Sequence, residues 1–176
     1  MKESATRKVF LVIDMLNDFI LEDAPLQVPS GRGMVPALRK RLEEARSGGI
    51  PLLYLCDAHD PDDAEFELWP RHAIVGTHGA EVIDELKPVP GDYVIPKKRF
   101  SGFFRTELDR ILRKLAAEHL WIAGLVTNIC VLYTVADARS RGYRVTVFQD
   151  SVAGLNPEDH DFALRQMREI LGAEVA

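Results

Sequence analysis

The chain has 176 residues, 47% hydrophobic and 28% charged, which suits one domain able to bury a substantial core. Its net charge of −5 argues against nucleic acid as the main partner, because phosphate binding needs concentrated positive charge. No apolar run is long enough for a membrane span or a signal peptide, and two cysteines cannot make a disulfide framework, so a soluble cytoplasmic protein without a membrane partner is expected.

The run KVFLVI at residues 8–13 has no polar interruption and predicts a strand buried on both faces, with Asp14 directly after it. Leu38, Leu42 and Ala45 stand at helical spacing and predict a helix over residues 35–47, ended by Gly48 and Gly49; Arg39, Arg41 and Arg46 read as solvated surface. The GRG string at residues 31–33 is no dinucleotide fingerprint, since it lacks the full glycine spacing and does not directly follow a strand. IPLLYLC at residues 50–56 predicts a second strand, followed by Asp57. The polar stretch that follows, residues 57–81, has little expected regular structure, and such long loops are usually functional.

YVIP at residues 93–96 predicts a third strand ending in Lys97, and a helix is expected over residues 106–116. The apolar run at residues 120–125 predicts a fourth strand, and residues 129–141 a helix, with Cys130 in its first turn. RVTVF at residues 144–148 predicts a fifth strand, with Asp150 and Ser151 beyond it. The last helix is expected over residues 157–171, with Asn156 as N-cap and Pro157 at the first helical position. Strands alternating with helices predict an α/β fold with a parallel sheet covered on both faces, and a single domain over residues 1–176.

Asp14, Asp57, Lys97 and Cys130 then all fall at the carboxyl ends of strands, the edge where open parallel sheets bind ligands. A thiol in the first turn of a helix meets unpaired backbone N–H groups that favour the thiolate, and those groups could also hold an oxyanion. Cysteine is also a small hydrophobe that often just packs, so position alone does not make Cys130 a nucleophile. A cysteine nucleophile needs a proton acceptor, and Asp14 can serve if an apolar site and Lys97 tune it together.

The long loop offers a second constellation. Asp57 and His59 form a D-x-H pair, and Glu65 and His72 follow in the same loop. Carboxylate and imidazole ligands suit zinc, manganese or iron rather than calcium. Asp60, Asp62, Asp63 and Glu67 are competing acids of lower rank, and His78, His119 and His160 read as surface or helix-boundary residues.

Four blocks carry these residues: VIDMLNDF, DAHDPDDAEFELWPRHAIVGTHGAE, KKRFSGFFRTEL and GLVTNICVLYTVADARSRGY. With them the chain resembles, over nearly its whole length, the isochorismatase-like cysteine hydrolases, and most of all their nicotinamidase/pyrazinamidase group. The resemblance implies a Rossmann-like three-layer α/β/α fold and a catalytic triad of Asp14, Lys97 and Cys130. Lys97 is preferred to Lys98 because the family's lysine stands four residues before the serine of the SGF block, here Ser101. A cis peptide before the nucleophile is also implied, placed at Val126–Thr127, where it would aim the amides of Val126 and Cys130 into an oxyanion hole.

The same resemblance implies a divalent metal, zinc first with manganese or iron as alternatives, held by Asp57, His59 and His72 with Glu65 in the fourth place. Phe19 and Trp69 match positions that wall a ring pocket, and a homo-oligomer is expected. The implied reaction is metal-assisted hydrolysis of nicotinamide, or a similar aromatic carboxamide such as pyrazinamide, to the acid and ammonia through a thioester. Two alternatives stay open: a related cysteine hydrolase acting on a carbamoyl or ureido small molecule, and a non-catalytic ligand-binding or thiol redox-sensing protein.

Overall fold

The expected runs of branched apolar residues all become strands, and all lie parallel. A computed structural model describes residues 7–176; residues 1–6, on which the reading of the N-terminus partly rests, lie outside it. In chain order, β1 (Lys8–Ile13) leads to the short α1 (Asn17–Ile20) and to α2 (Gly31–Ser47). Next come β2 (Leu52–Asp57), β3 (Tyr93–Lys97), α3 (Leu108–Lys114) and β4 (His119–Leu125). A π-helical turn, Thr127–Val131, runs into α4 (Leu132–Ser140), followed by β5 (Arg144–Ala153), α5 (Pro157–Arg165) and β6 (Glu174–Val175). No helix among the described residues is long and apolar enough to cross a membrane.

The sheet order is β3-β2-β1-β4-β5-β6. The order reverses between β1 and β4, so the connections leaving those strands diverge and open a crevice at their carboxyl ends. Residues alternate along each strand, and each sheet face packs its own core. Phe10, Val12, Tyr54 and Leu125 lie against Leu38 and Leu42 of α2, while Leu11, Ile13, Leu55 and Ile122 lie against Leu112 of α3 and Val135 of α4. Burial on both faces is why these strands read as unbroken apolar runs.

Several bounds differ from those expected. The first turn of α2 includes the GRG string, because Gly31 packs against α1, where an added Cβ would lie 2.9 Å from Ile20 Cδ1. β5 does not end at residue 148: it pairs with β4 again through Val152 and Ala153 after a register shift, so Asp150 and Ser151 lie inside the strand rather than beyond it. α3 is shorter than residues 106–116, and the last helix passes into a π turn, Gln166–Ile170. The arginines of α2 are also less free than expected. Arg41 pairs with Asp150 over the Phe148 ring, and Arg46 is shared between Asp92 and Tyr54.

Gly124 fixes the approach of β4 to β1. Its φ is +120°, and a Cβ there would lie 2.0 Å from the Ile13 carbonyl oxygen. Substitution must both strain the backbone and push the central strands apart. Gly124→Ala should therefore lose at least about 3 kcal/mol of stability, read as a lower urea midpoint at unchanged slope.

Candidate active site

β1 ends at Ile13, and Asp14 turns away from it with φ +49°, a conformation uncommon for a side-chain-bearing residue. Asp57 and Lys97 are the last residues of neighbouring strands and lie directly opposite each other in the β2–β3 register. Cys130 comes from the turn after β4. The crevice thus brings together four side chains from four strands, all at most 5% exposed.

The ammonium of Lys97 is the hub. Its Nζ lies 2.7 Å from Asp14 Oδ2, 2.6 Å from Asp57 Oδ1 and 3.3 Å from Cys130 Sγ. Lys98, by contrast, is exposed and pairs with Asp60. Asp14 Oδ1 accepts the backbone N–H of Asp57 at 2.8 Å, whereas its Oδ2 lies 2.7 Å from Lys97 Nζ without a hydrogen bond of full geometry. That oxygen is available to a proton.

The electrostatics fit a proton acceptor beside a neutral thiol. Burial, then the neighbouring Asp57 carboxylate, pushes Asp14 up to about 6 against the pull of Lys97. Burial pushes the Cys130 thiol well above its ordinary range, with Lys97 opposing. The helix-terminus effect expected to favour a resting thiolate is outweighed, because the sulfur is enclosed in the core. Lys97 itself stays charged: burial disfavours the ammonium, but Asp14, Asp57 and Cys130 more than offset it.

The turn that carries Cys130 departs from the expected α-helical start. The Val126 carbonyl accepts the N–H of Ile129 at 3.0 Å and of Val131 at 3.2 Å, so Cys130 sits in a π turn and α4 begins only at Leu132. Turns of this kind are frequent at functional sites. The cis peptide is Leu125–Val126, one residue before the expected Val126–Thr127. Leu125 is the last β4 residue paired to β5, and Val126 already heads the turn, so the change of direction falls between them.

Asp57 also belongs to the second constellation. Its Oδ2 lies 3.8 Å from His59 Nε2 and 3.9 Å from His72 Nε2, and Glu65 Oε1 lies 3.9 Å from His59 Nε2. Two imidazoles and the Asp57 carboxylate thus face one point, with Glu65 reaching His59 from the side. Other contacts fix the rings from behind: Asp63 Oδ2 lies 3.2 Å from His59 Nδ1, and the Pro70 carbonyl 2.7 Å from His72 Nδ1. That leaves each Nε2 for the shared point, and the buried His59 Nε2 has no hydrogen-bond partner.

Burial, with Asp57 close by, raises Glu65; burial holds His72 below its usual range. Burial would lower His59 too, but Asp57 and then Asp63 raise it. A cluster that is rich in carboxylate and has an orphaned imidazole nitrogen fits a divalent cation. Asp57, His59 and His72 would hold it, with Glu65 beside them.

Both constellations open into one narrow pocket with about 30 Å³ of enclosed space, or about 370 Å³ when the open space at its mouth is counted. Cys130, Asp57, Glu65 and His72 line it together with Phe19 and Trp69. Phe19 sets its ring edge-on to His72 at 5.5 Å. Leu26, Phe100, Val126, Ile129 and Leu155 complete the walls, and no arginine or lysine is among the lining residues described.

Some contributors escape a reading by residue type. Asp63 meets His59 at Nδ1, the ring nitrogen away from Asp57 and His72, and with His59 and Glu65 it also makes a second group that could hold a cation. Asp18 Oδ2 accepts the Ala73 N–H at 2.8 Å and fixes the chain just beyond His72, where Ala73 has φ +44°. Leu26, Phe100 and Leu155 carry no chemical signature, and only the folded chain brings them to the pocket.

The model of the isochorismatase domain matches residues 8–176. The chain belongs to the isochorismatase family. Its structure is similar to that of the nicotinamidase PncA of Bacillus subtilis, with a TM-score of 0.90 and 33% identity over 97% of this chain and 99% of that one. It is also similar to N-carbamoylsarcosine amidase of Thermoplasma acidophilum, with a TM-score of 0.87 and 40% identity over 97% and 95% of the two chains. A third neighbour is the pyrazinamidase of Pyrococcus horikoshii in complex with zinc, with a TM-score of 0.91 and 29% identity over 97% and 98%. All three are amidases, and this chain is an isochorismatase-family hydrolase with the same α/β sheet architecture.

Proposed function

We propose that this isochorismatase-family amidohydrolase cleaves nicotinamide, or a similarly small aromatic carboxamide such as pyrazinamide, to the acid and ammonia. One observation carries this reading: the thiol and the metal-ligand cluster line the same small apolar pocket. A flat ring between Phe19 and Trp69 would present its carboxamide to Cys130 and its ring nitrogen to the cluster. A bound divalent metal, zinc first among the candidates, would supply a Lewis-acidic anchor for that nitrogen.

In this reading Asp14 takes the Cys130 proton as Sγ attacks the amide carbon, and the N–H groups of Val126 and Cys130 hold the oxyanion. As the C–N bond breaks, Asp14 returns the proton to the departing ammonia. Water then cleaves the thioester, giving one proton to Asp14, which passes it back to the thiol. Lys97 holds Asp14 in place and stays protonated throughout. Homo-oligomerisation of the chain is proposed from the family resemblance alone.

The 40% identity to N-carbamoylsarcosine amidase favours a second reading, a carbamoyl substrate. N-carbamoyl amino acids carry a carboxylate, and among the described residues no lysine or arginine lines the pocket to pair with it, so it would have to compete for the position proposed for the metal, which supports the neutral aromatic amide. Ammonia release from nicotinamide, pyrazinamide and N-carbamoylsarcosine, measured beside the metal content of the same preparation, tests the choice. Turnover of nicotinamide or pyrazinamide, lost on chelation and restored by zinc, is expected. Turnover of the carbamoyl compound alone would replace this reading with the second, and release from none of them would favour a non-catalytic role.

A further inference from the structure

Thr127 opens the turn that carries the nucleophile, and its side chain is wholly buried. A buried hydroxyl needs a partner. Here it is the imidazole of His160, whose Nδ1 lies 2.9 Å from Thr127 Oγ1. His160 stands on α5, outside the triad, the metal cluster and the pocket lining. Either atom can donate when the imidazole is neutral, so the bond needs no charge.

The start of α5 is built to hold that ring. Asn156 Oδ1 accepts the Asp159 N–H at 2.9 Å, the Asn156 carbonyl accepts the His160 N–H at 3.2 Å, and Pro157 sets the first helical φ. Gly154 permits the close packing, since a Cβ there would lie 2.9 Å from the His160 Cβ. Between Gly154 and Asn156, Leu155 forms part of the pocket wall. One segment therefore supports a wall of the pocket and, through His160, the start of the nucleophile's turn.

We propose that His160 is a positioning residue: its hydrogen bond to Thr127 fixes the turn Thr127–Val131 and so aims Cys130 Sγ, without contact with the substrate. Turnover enters the test through the amidase reading, on which the proposal rests. Alkylation of Cys130 by iodoacetamide, followed by mass spectrometry of its peptide, does not depend on that reading.

His160→Ala and Thr127→Val should each lower kcat and the alkylation rate by roughly ten- to a hundredfold, with KM changed less than about threefold. The double variant should be no slower than the slower single variant, because both remove one interaction. His160→Asn, which places an amide where Nδ1 stood, and Thr127→Ser should recover most of the rate. Wild-type rates in a folded His160→Ala or Thr127→Val protein would overturn the proposal. So would losses that multiply in the double variant, or that only follow the unfolded fraction and are not recovered by asparagine. If the wild type turns over no amide, the amidase reading fails and the alkylation rates alone decide.

Discussion

Cys130→Ala should lower kcat/KM for amide hydrolysis by roughly 10⁴- to 10⁶-fold, the loss seen when a covalent nucleophile is removed from an otherwise intact site. The substitution deletes one buried sulfur from the pocket wall, so the fold should survive at a cost of about 1 kcal/mol. Asp14, Lys97 and the metal cluster would all stay in place, and only the bond-forming atom would be missing. Cys130→Ser should be nearly as inert. A carboxylate raised to about 6 can take a proton from a thiol as it attacks, but a hydroxyl is far less acidic. Steady-state rates of ammonia release on matched, folded samples check this, and more than about one per cent of wild-type activity in the alanine variant would remove Cys130 from the mechanism.

Lys97→Met should cost both stability and activity. The ammonium is the shared counter-charge of two buried carboxylates, at 2.7 Å from Asp14 and 2.6 Å from Asp57. Methionine matches its stem as far as Cε, so the packing changes little, but the ammonium is gone and the two acids are left facing each other in the core. Breaking a buried ion pair by removing one partner typically costs about 3–5 kcal/mol, and here two partners are stranded. Urea denaturation should show that loss, and the folded remainder should have no measurable turnover, because Asp14 would no longer be held toward Cys130. Wild-type stability together with retained activity would mean that Lys97 is not the hub.

The sheet was legible in the sequence wherever burial on both faces demanded an unbroken apolar run, as in KVFLVI and LLYLC. It was not legible where pairing continues through polar residues: Asp150 and Ser151 read as an ending, yet the strand passes through them and resumes against Gly124 and Leu125. The clustered residues Asp14, Asp57, Lys97 and Cys130 and the candidate metal ligands could be named because acids, imidazoles, an amine and a thiol are chemically conspicuous at strand ends. Their protonation could not, because it depends on enclosure: Cys130 looks like an activated thiol in sequence, whereas burial favours the neutral thiol. Asp63 and His160 were undervalued for a related reason, since each acts through a second side chain. The one-residue displacement of the cis bond reflects where β4 stops pairing.

The four central side chains come from four strands, and their contacts span 43 positions from Asp14 to Asp57, 40 from Asp57 to Lys97 and 33 from Lys97 to Cys130. No hairpin or local fragment brings even two of them together, because parallel strands meet only after a long crossover has closed. During synthesis the thiol, the acids and the amine are therefore ordinary solvated groups far apart on a loose chain. Catalytic competence arrives with closure of the β1–β4 seam and not in stages. Recovery of activity after denaturation is thus a measure of the whole sheet, and a newly made chain is chemically inert until it has finished folding.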